Sequence, residues 1–248
     1  MKNFIKKSIT RLLSAKGYKI TKIFPQDYEK EFIEFHNLIK TETMTSVERQ
    51  HALYKAVQHI IINDVEGDVV ECGVWRGGST MLAALTMKSL NETDKNIYLY
   101  DTFAGMSEPT EHDVSITGKA SNHKWKSLQR GNINTWDYAS QEDVAKNVNS
   151  TGYPKEKLFF VKGKVEDTIP KTIPAKISLL RLDTDWYEST AHELEHLFPR
   201  LSKGGILIID DYGHWRGARK AVDEYIKNNN ITIFLNRIDY TGRIAVKM

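Results

Sequence analysis

The sequence predicts an α/β fold: an open, mostly parallel sheet with helices on both faces, closed at its C-terminal edge by an antiparallel hairpin. Three observations carry that expectation. Short runs rich in branched aliphatics recur at Asp68–Cys72, Ile97–Tyr100, Leu158–Val161, Ile177–Leu182 and Ile206–Ile209, and read as buried parallel strands. Helix-like segments lie between them, which is the rhythm of βαβ units. A glycine-rich turn follows the first run, and acids follow the second, fourth and fifth. In such sheets ligands bind beyond the carboxyl ends of the strands, so chemistry is expected there.

Taken in order, Thr45 and Glu48 read as a capping box that opens a helix running to His59–Ile62. The strand Asp68–Cys72 follows, then the turn and a helix rich in Ala, Leu and Met over Thr80–Leu90. Ile97–Tyr100 ends at Asp101. Ser140 and Ser189 have the side chains of helix N-caps. Thr232–Arg237 and Arg243–Val246 flank Asp239–Gly242 as a hairpin. Residues 104–139 break the rhythm, being polar and carrying His112, His123, Trp125 and Trp136. A loop this long in a compact domain is functional or disordered. Its start just after Asp101 favours a lid over the site, against a mobile insertion without a role.

Composition narrows the class. Hydrophobic residues make up 40% and charged residues 27%, a globular balance. A net charge of +3, without a large block of one sign, argues against a nucleic-acid surface. The single cysteine, Cys72, excludes an internal disulfide framework and fits a reducing, cytoplasmic setting. No apolar run reaches the roughly 18–20 residues of a membrane span. The chain suffices for one well-cored domain, drawn at 45–248, after an N-terminal extension at 1–44. That extension carries Lys2, Lys6, Lys7, Arg11, Lys16, Lys19 and Lys22 before its first acid, with Phe4, Ile5, Ile9, Leu12 and Leu13 at helical spacing. A basic helix resting on anionic lipid, an organellar presequence, and a helix packed on the domain or on a second copy are all open.

The turn reads Glu71-Cys72-Gly73-Val74-Trp75-Arg76-Gly77-Gly78-Ser79. A dinucleotide fingerprint places its second glycine where Trp75 stands, so a pyrophosphate loses its close approach to the backbone. A phosphate-free cationic ligand such as S-adenosylmethionine fits better. Glu71 suits its positive end, Gly73 lets it lie against the backbone, and Asp101 can accept hydrogen bonds from ribose hydroxyls. A tight turn with surface carboxylates is the plain alternative. Cys72 reads as a small buried residue, since no paired base is evident.

The fourth and fifth strands end in Asp183-Thr184-Asp185 and Asp210-Asp211. On neighbouring strands these carboxylates would converge and repel unless protonated or bridged by a cation. Oxygen ligands suit Mg²⁺, with Mn²⁺ or Ca²⁺ as alternatives; helix capping by the same aspartates is the other reading. His192-Glu193-Leu194-Glu195-His196 matches the H-E-x-x-H zinc helix, but no third ligand is evident and exposed crossover-helix histidines are the simpler account. His214, beside the aspartate pair, is a candidate base or a surface residue.

These stretches, with Asp101-Thr102-Phe103-Ala104-Gly105, Leu182 to Thr190, Leu201-Ser202-Lys203-Gly204-Gly205, Ile208 to Gly213 and Arg237 to Gly242, resemble the macrocin O-methyltransferase family of TylF/MycF/NovP-type sugar methyltransferases. The resemblance runs from about residue 45 to the end. It implies a Rossmann-like class I methyltransferase fold, S-adenosylmethionine, and Mg²⁺ or Mn²⁺ on Asp183, Asp210 and Asp211, with Asp185 as general base. Cofactor contacts are implied at Glu71, Gly73, Val74, Trp75, Arg76, Gly77, Ser79, Asp101, Phe103, Gly163, Val165 and Asp183. The implied acceptor is a hydroxyl of a sugar, as a small molecule or glycan. A phenolic acceptor and a nicotinamide-dependent oxidoreductase on the same fold are the alternatives. Membrane contact through the basic N-terminus and a homo-oligomer stay open.

Overall fold

The structure is a computed structural model that describes residues 12–18 and 22–248. The basic N-terminal helix expected above falls largely outside the described residues. Helices α1 (Lys30–Ile39) and α2 (Val47–Ile62) precede β1 (Asp68–Cys72), α3 (Gly78–Ser89) and β2 (Ile97–Asp101). The segment after β2 holds a short helix, α4 (Asn122–Leu128), and a small hairpin, β3 (Gln129–Arg130) with β4 (Ile133–Asn134). There follow α5 (Gln141–Asn149), β5 (Leu158–Lys162), α6 (Val165–Thr168), β6 (Ile177–Leu182), α7 (Tyr187–Leu197), β7 (Leu201–Ile209), α8 (Arg216–Asn228), β8 (Asn236–Arg237) and β9 (Arg243–Val246).

Seven strands form one sheet in the order β5-β2-β1-β6-β7-β9-β8. The first five run parallel, while β9 pairs antiparallel with both β7 and β8. This is the expected doubly wound sheet with an antiparallel C-terminal edge. Register decides where the chemistry falls. Cys72 pairs with Tyr100 and with Leu182, and Leu182 pairs with Ile209. The next residues along these strands, Gly73, Asp101, Asp183 and Asp210, therefore stand in one row at the carboxyl edge.

Strand alternation divides the core in two. Val69, Leu99, Leu179, Ile206 and Ile208 face α1, α2, α3 and α5, while Val70, Leu180, Leu182, Leu207 and Ile209 face α6, α7 and α8. Every residue of β6 is buried, as a central strand covered on both faces requires. Phe32 and Ile39 of α1 are buried in the first of these cores, so packing begins N-terminal of residue 45. Full burial of each such side chain stabilises by about 1.5–3 kcal/mol. A third cluster joins Trp136 of the segment at 104–139 to Trp186, Trp215 and Ala218.

Several local expectations need correction. The cap of α2 is Ser46, whose hydroxyl accepts the Arg49 amide at 3.1 Å, rather than Thr45, whose hydroxyl pairs with Thr43. Helix α7 starts at Tyr187, ahead of Ser189, because its first amide donates to Asp113 Oδ1 at 2.8 Å from the segment after β2. Strand β7 begins at Leu201, and only Asn236–Arg237 of the run Thr232–Arg237 pairs with a neighbour. Helix α8 is an additional element. Its buried positions are Gly217, Ala218, Ala221 and Val222, continued by the partly buried Tyr225 and Ile226 on one face of a helix otherwise rich in charge.

Candidate active site

At the end of β1 the backbone turns so tightly that side chains are excluded. Gly73 has φ +82°, and a Cβ there would collide with the Asp183 carbonyl. The neighbouring strands are stitched at this level, Gly73 N donating to Tyr100 O at 2.9 Å and Asp183 N to Cys72 O at 2.8 Å. Asp101 then braces two turns at once. Its carboxylate accepts the amides of Val74 at 2.7 Å, Trp75 at 3.2 Å and Phe103 at 2.7 Å. Trp75 and Phe103 both have positive φ, at 45° and 48°, a conformation that costs free energy unless its surroundings hold it. Asp101 provides that hold. Burial raises its pKa while the amide bonds pull the other way.

A cavity of about 410 Å³ opens over this edge, within the usual range of small-molecule sites. Of the residues expected at the cofactor, Glu71, Gly73, Val74, Trp75, Ser79, Asp101, Gly163, Val165 and Asp183 line it. Arg76, Gly77 and Phe103 do not. Arg76 instead pairs with Glu42 at 2.5 Å, and Gly77, with φ +89°, is the cap residue of α3. Glu71 is buried and already partnered, accepting from Arg181 at 2.7 Å and from the Thr80 hydroxyl.

The opposite wall carries the acids. Asp183, Asp210 and Asp211 each present an oxygen, and these lie within 4.8 Å of one another. The expected convergence is therefore real, but the expected repulsion is largely answered by protein cations. Arg181, buried in β6, reaches Asp183 at 2.7 Å and Asp210 at 3.0 Å. Arg49 of α2 pairs with Asp210 from the other side and with Asp239 at 3.0 Å. Asp211 lacks such a partner: its Oδ2 is buried without a hydrogen bond. Burial, followed by the charges of Asp185 and Asp210, raises its pKa well above the carboxylate range. Asp185 has φ +68° and lies beside Asp211. Burial first, then the Asp183 charge, lift its pKa to about 7. All-oxygen donors with two buried oxygens that accept no hydrogen bond, Asp210 Oδ1 and Asp211 Oδ2, fit a hard divalent ion.

Arg49, Arg181 and Asp239 have no signature of their own in the sequence, although Arg181 lies in the run Ile177–Leu182 and Asp239 in the closing motif Arg237 to Gly242. Glu193 is a further case. In the H-E-x-x-H helix it points inward, fully buried, and accepts the Thr184 hydroxyl at 2.9 Å between the two site aspartates. His192 is spent on the Ile169 carbonyl at 2.9 Å. Among the described residues the metal-ligand grouping is the aspartate trio and includes neither histidine. His214 lines the cavity and its Nδ1 meets the Tyr240 hydroxyl at 2.6 Å; burial, then Arg49 and Lys124, lower its pKa.

The segment at 104–139 is docked on the body. Trp186 Nε1 donates to Ser107 O at 2.9 Å, Arg216 N to Val114 O at 2.9 Å and Ile116 N to His214 O at 2.7 Å. Met106, Ser107, Lys124, Trp136 and Asp137 from this segment line the cavity, and Lys124 Nζ sits 3.5 Å from the Trp136 ring centre.

Comparison with known proteins meets this geometry. The profile of the macrocin-O-methyltransferase (TylF) family matches residues 18–246. Demethyldecarbamoylnovobiocin O-methyltransferase of Streptomyces niveus is 33% identical over 200 residues, 81% of this chain and 73% of that one. A relative from Streptomyces olivaceus, 8-demethyl-8-(2,3-dimethoxy-alpha-L-rhamnosyl)-tetracenomycin-C 4'-O-methyltransferase, is 32% identical over the same shares. The solved structure of the O-methyltransferase NovP superposes with a TM-score of 0.74 at 28% identity, covering 100% of both chains. With the sheet order, the glycine turn and the carboxyl-edge cavity, these matches make the chain a member of the macrocin O-methyltransferase family and an S-adenosylmethionine-dependent O-methyltransferase.

Proposed function

We propose that this methyltransferase acts on a hydroxyl of a sugar, with a divalent ion, Mg²⁺ or Mn²⁺, held by Asp183, Asp210 and Asp211. The observation that carries the reading is the carboxylate trio at the ends of two adjacent strands, facing the glycine turn across one cavity, with the Asp211 oxygen left unpartnered. The sugar as acceptor rests on the rhamnosyl group in the name of the Streptomyces olivaceus relative. When bound, the ion would lower the pKa of an acceptor hydroxyl and fix its position.

The chain's own groups supply the rest. The turn at Gly73 lets the methyl donor lie against backbone, with Glu71 and Ser79 on the same wall. Asp185 takes the proton from the acceptor hydroxyl, the oxygen bonds to the methyl carbon, and the carbon–sulfur bond breaks in line. The products are a methyl ether and S-adenosylhomocysteine. The bound hydroxyl and methyl group react as neighbours, and orientation of this kind supplies up to roughly 7–11 kcal/mol. Burial lifts the Asp185 pKa to about 7 without an ion, and a bound dication would draw it back toward the carboxylate form that accepts a proton. His214 also lines the cavity, with its Nδ1 on the Tyr240 hydroxyl, and is the alternative base.

The experiment is methyl transfer from labelled S-adenosylmethionine to a panel of nucleotide sugars, glycosides and catechols, with Mg²⁺ and with EDTA. Sugar products that vanish with EDTA are expected. Catechol products alone would overturn the acceptor, and full turnover in EDTA would overturn the ion.

A further inference from the structure

The two arginines at the acid cluster are held in different ways. Arg181 has a side chain only 4% exposed and serves Glu71, Asp183 and Asp210 together. It has nowhere else to go. Arg49 is 15% exposed, lines the cavity, and reaches the cluster from α2. Its Nε is anchored on Asp239, while its Nη1 takes Asp210 Oδ2. The anchor is firm on its own account: Asp239 accepts the Ser46 hydroxyl at 2.8 Å and the amides of Thr241 at 2.9 Å and Gly242 at 2.7 Å.

We propose that Arg49 is a displaceable counter-ion, occupying on Asp210 the place of a divalent cation and withdrawing onto Asp239 when that cation binds. The inference rests on the metal reading above and deepens it. Both oxygens of Asp210 face guanidinium groups, Oδ1 toward Arg181 and Oδ2 toward Arg49. An incoming ion needs one of them, so one arginine must yield. Repulsion between a dication and a guanidinium at contact range is strong where water is sparse. Arg181, itself buried and shared among Glu71, Asp183 and Asp210, is fixed; Arg49, with a second carboxylate already bound, can yield at little loss. In the metal-free protein Arg49 keeps Asp210 from being a buried, half-compensated charge, and it ties α2 and the C-terminal hairpin to the site.

The test is Mn²⁺ titration of the metal-free full chain, followed by the electron-spin resonance of free Mn²⁺, with thermal unfolding measured in parallel. Wild type, Arg49→Gln, Asp239→Asn and Asp211→Asn are compared. Arg49→Gln removes the competitor and is expected to bind Mn²⁺ about tenfold more tightly. Asp239→Asn leaves Arg49 with Asp210 alone and is expected to bind about tenfold more weakly. Opposite directions are the signature, since a merely structural Arg49 would weaken binding in both variants, and that result overturns the proposal. Should Asp239→Asn unfold, Arg49→Gln still decides by its direction. Binding in wild type that Asp211→Asn abolishes, but that Arg49→Gln leaves no tighter, would sink the arginine inference and spare the metal site. Absence of Mn²⁺ binding in both wild type and Arg49→Gln would sink the two together.

Discussion

The two walls of the cavity are built by different means. On the β1–β2 side, shape comes from backbone: Gly73 pressed on the Asp183 carbonyl, and three amides gathered on Asp101. On the β6–β7 side, shape comes from charge, with four aspartates at the strand ends and two arginines, one of them arriving from α2. A wall of backbone tolerates almost no added atom and recognises an invariant ligand. A wall of opposed charges responds to ions and protons, which suits the side where chemistry is regulated. Substitutions on the two sides should therefore fail differently.

The largest expected effect is at Asp211→Asn: methyl transfer falls roughly a thousandfold, equivalent to about 4 kcal/mol, while calorimetric affinity for S-adenosylhomocysteine stays within a factor of a few. If cofactor affinity falls in step, the two walls are not separable. Gly73→Ala should do the converse. The added Cβ meets backbone, so a loss of about 3 kcal/mol in stability is expected by denaturant unfolding, together with loss of S-adenosylhomocysteine binding. Normal binding would show that the turn relaxes and that the contrast is overdrawn.

Asp185→Asn should lower kcat roughly a hundredfold and change the pH profile. A base acts only when deprotonated, so wild-type kcat/KM should climb with pH through the Asp185 midpoint, which lies at about 7 without an ion, and level off above it. A dication nearby favours the carboxylate, so saturating Mg²⁺ should move that midpoint down. An unchanged limb in Asp185→Asn would transfer the role to another group. Smallest is Asp113→Ala, which removes the acceptor for the Tyr187 amide and should destabilise by about 1–2 kcal/mol in urea.

The same contrast explains what was legible in the sequence. Backbone constraints are local, so the strand ends, the glycine turn and the aspartate dyads could be read from adjacent letters, and the parallel sheet followed from the apolar runs. Charge compensation is not local. Arg49 meets partners 161 and 190 residues away, and nothing around it in α2 distinguishes it from a surface arginine. Three acids without visible cations pointed to a metal; the guanidinium groups that share the task emerge only on folding. Glu193 was masked by a zinc-helix pattern whose periodicity is that of any crossover helix. Helix α8, by contrast, was legible, since Ala218, Ala221, Val222, Tyr225 and Ile226 recur at helical spacing between charged residues.

Asp113 carries a consequence for how such enzymes diversify. Buried in the segment over the pocket, it terminates α7 where the chain's own Trp186 offers no acceptor. The covering segment is thus part of the scaffold's stability. Exchanging it to retarget the enzyme would leave α7 without its first bond partner unless the replacement brings an acceptor to the same spot. Transplants should preserve that carboxylate and vary what surrounds Lys124 and Trp136, where the contact with an acceptor can change while the helix stays closed.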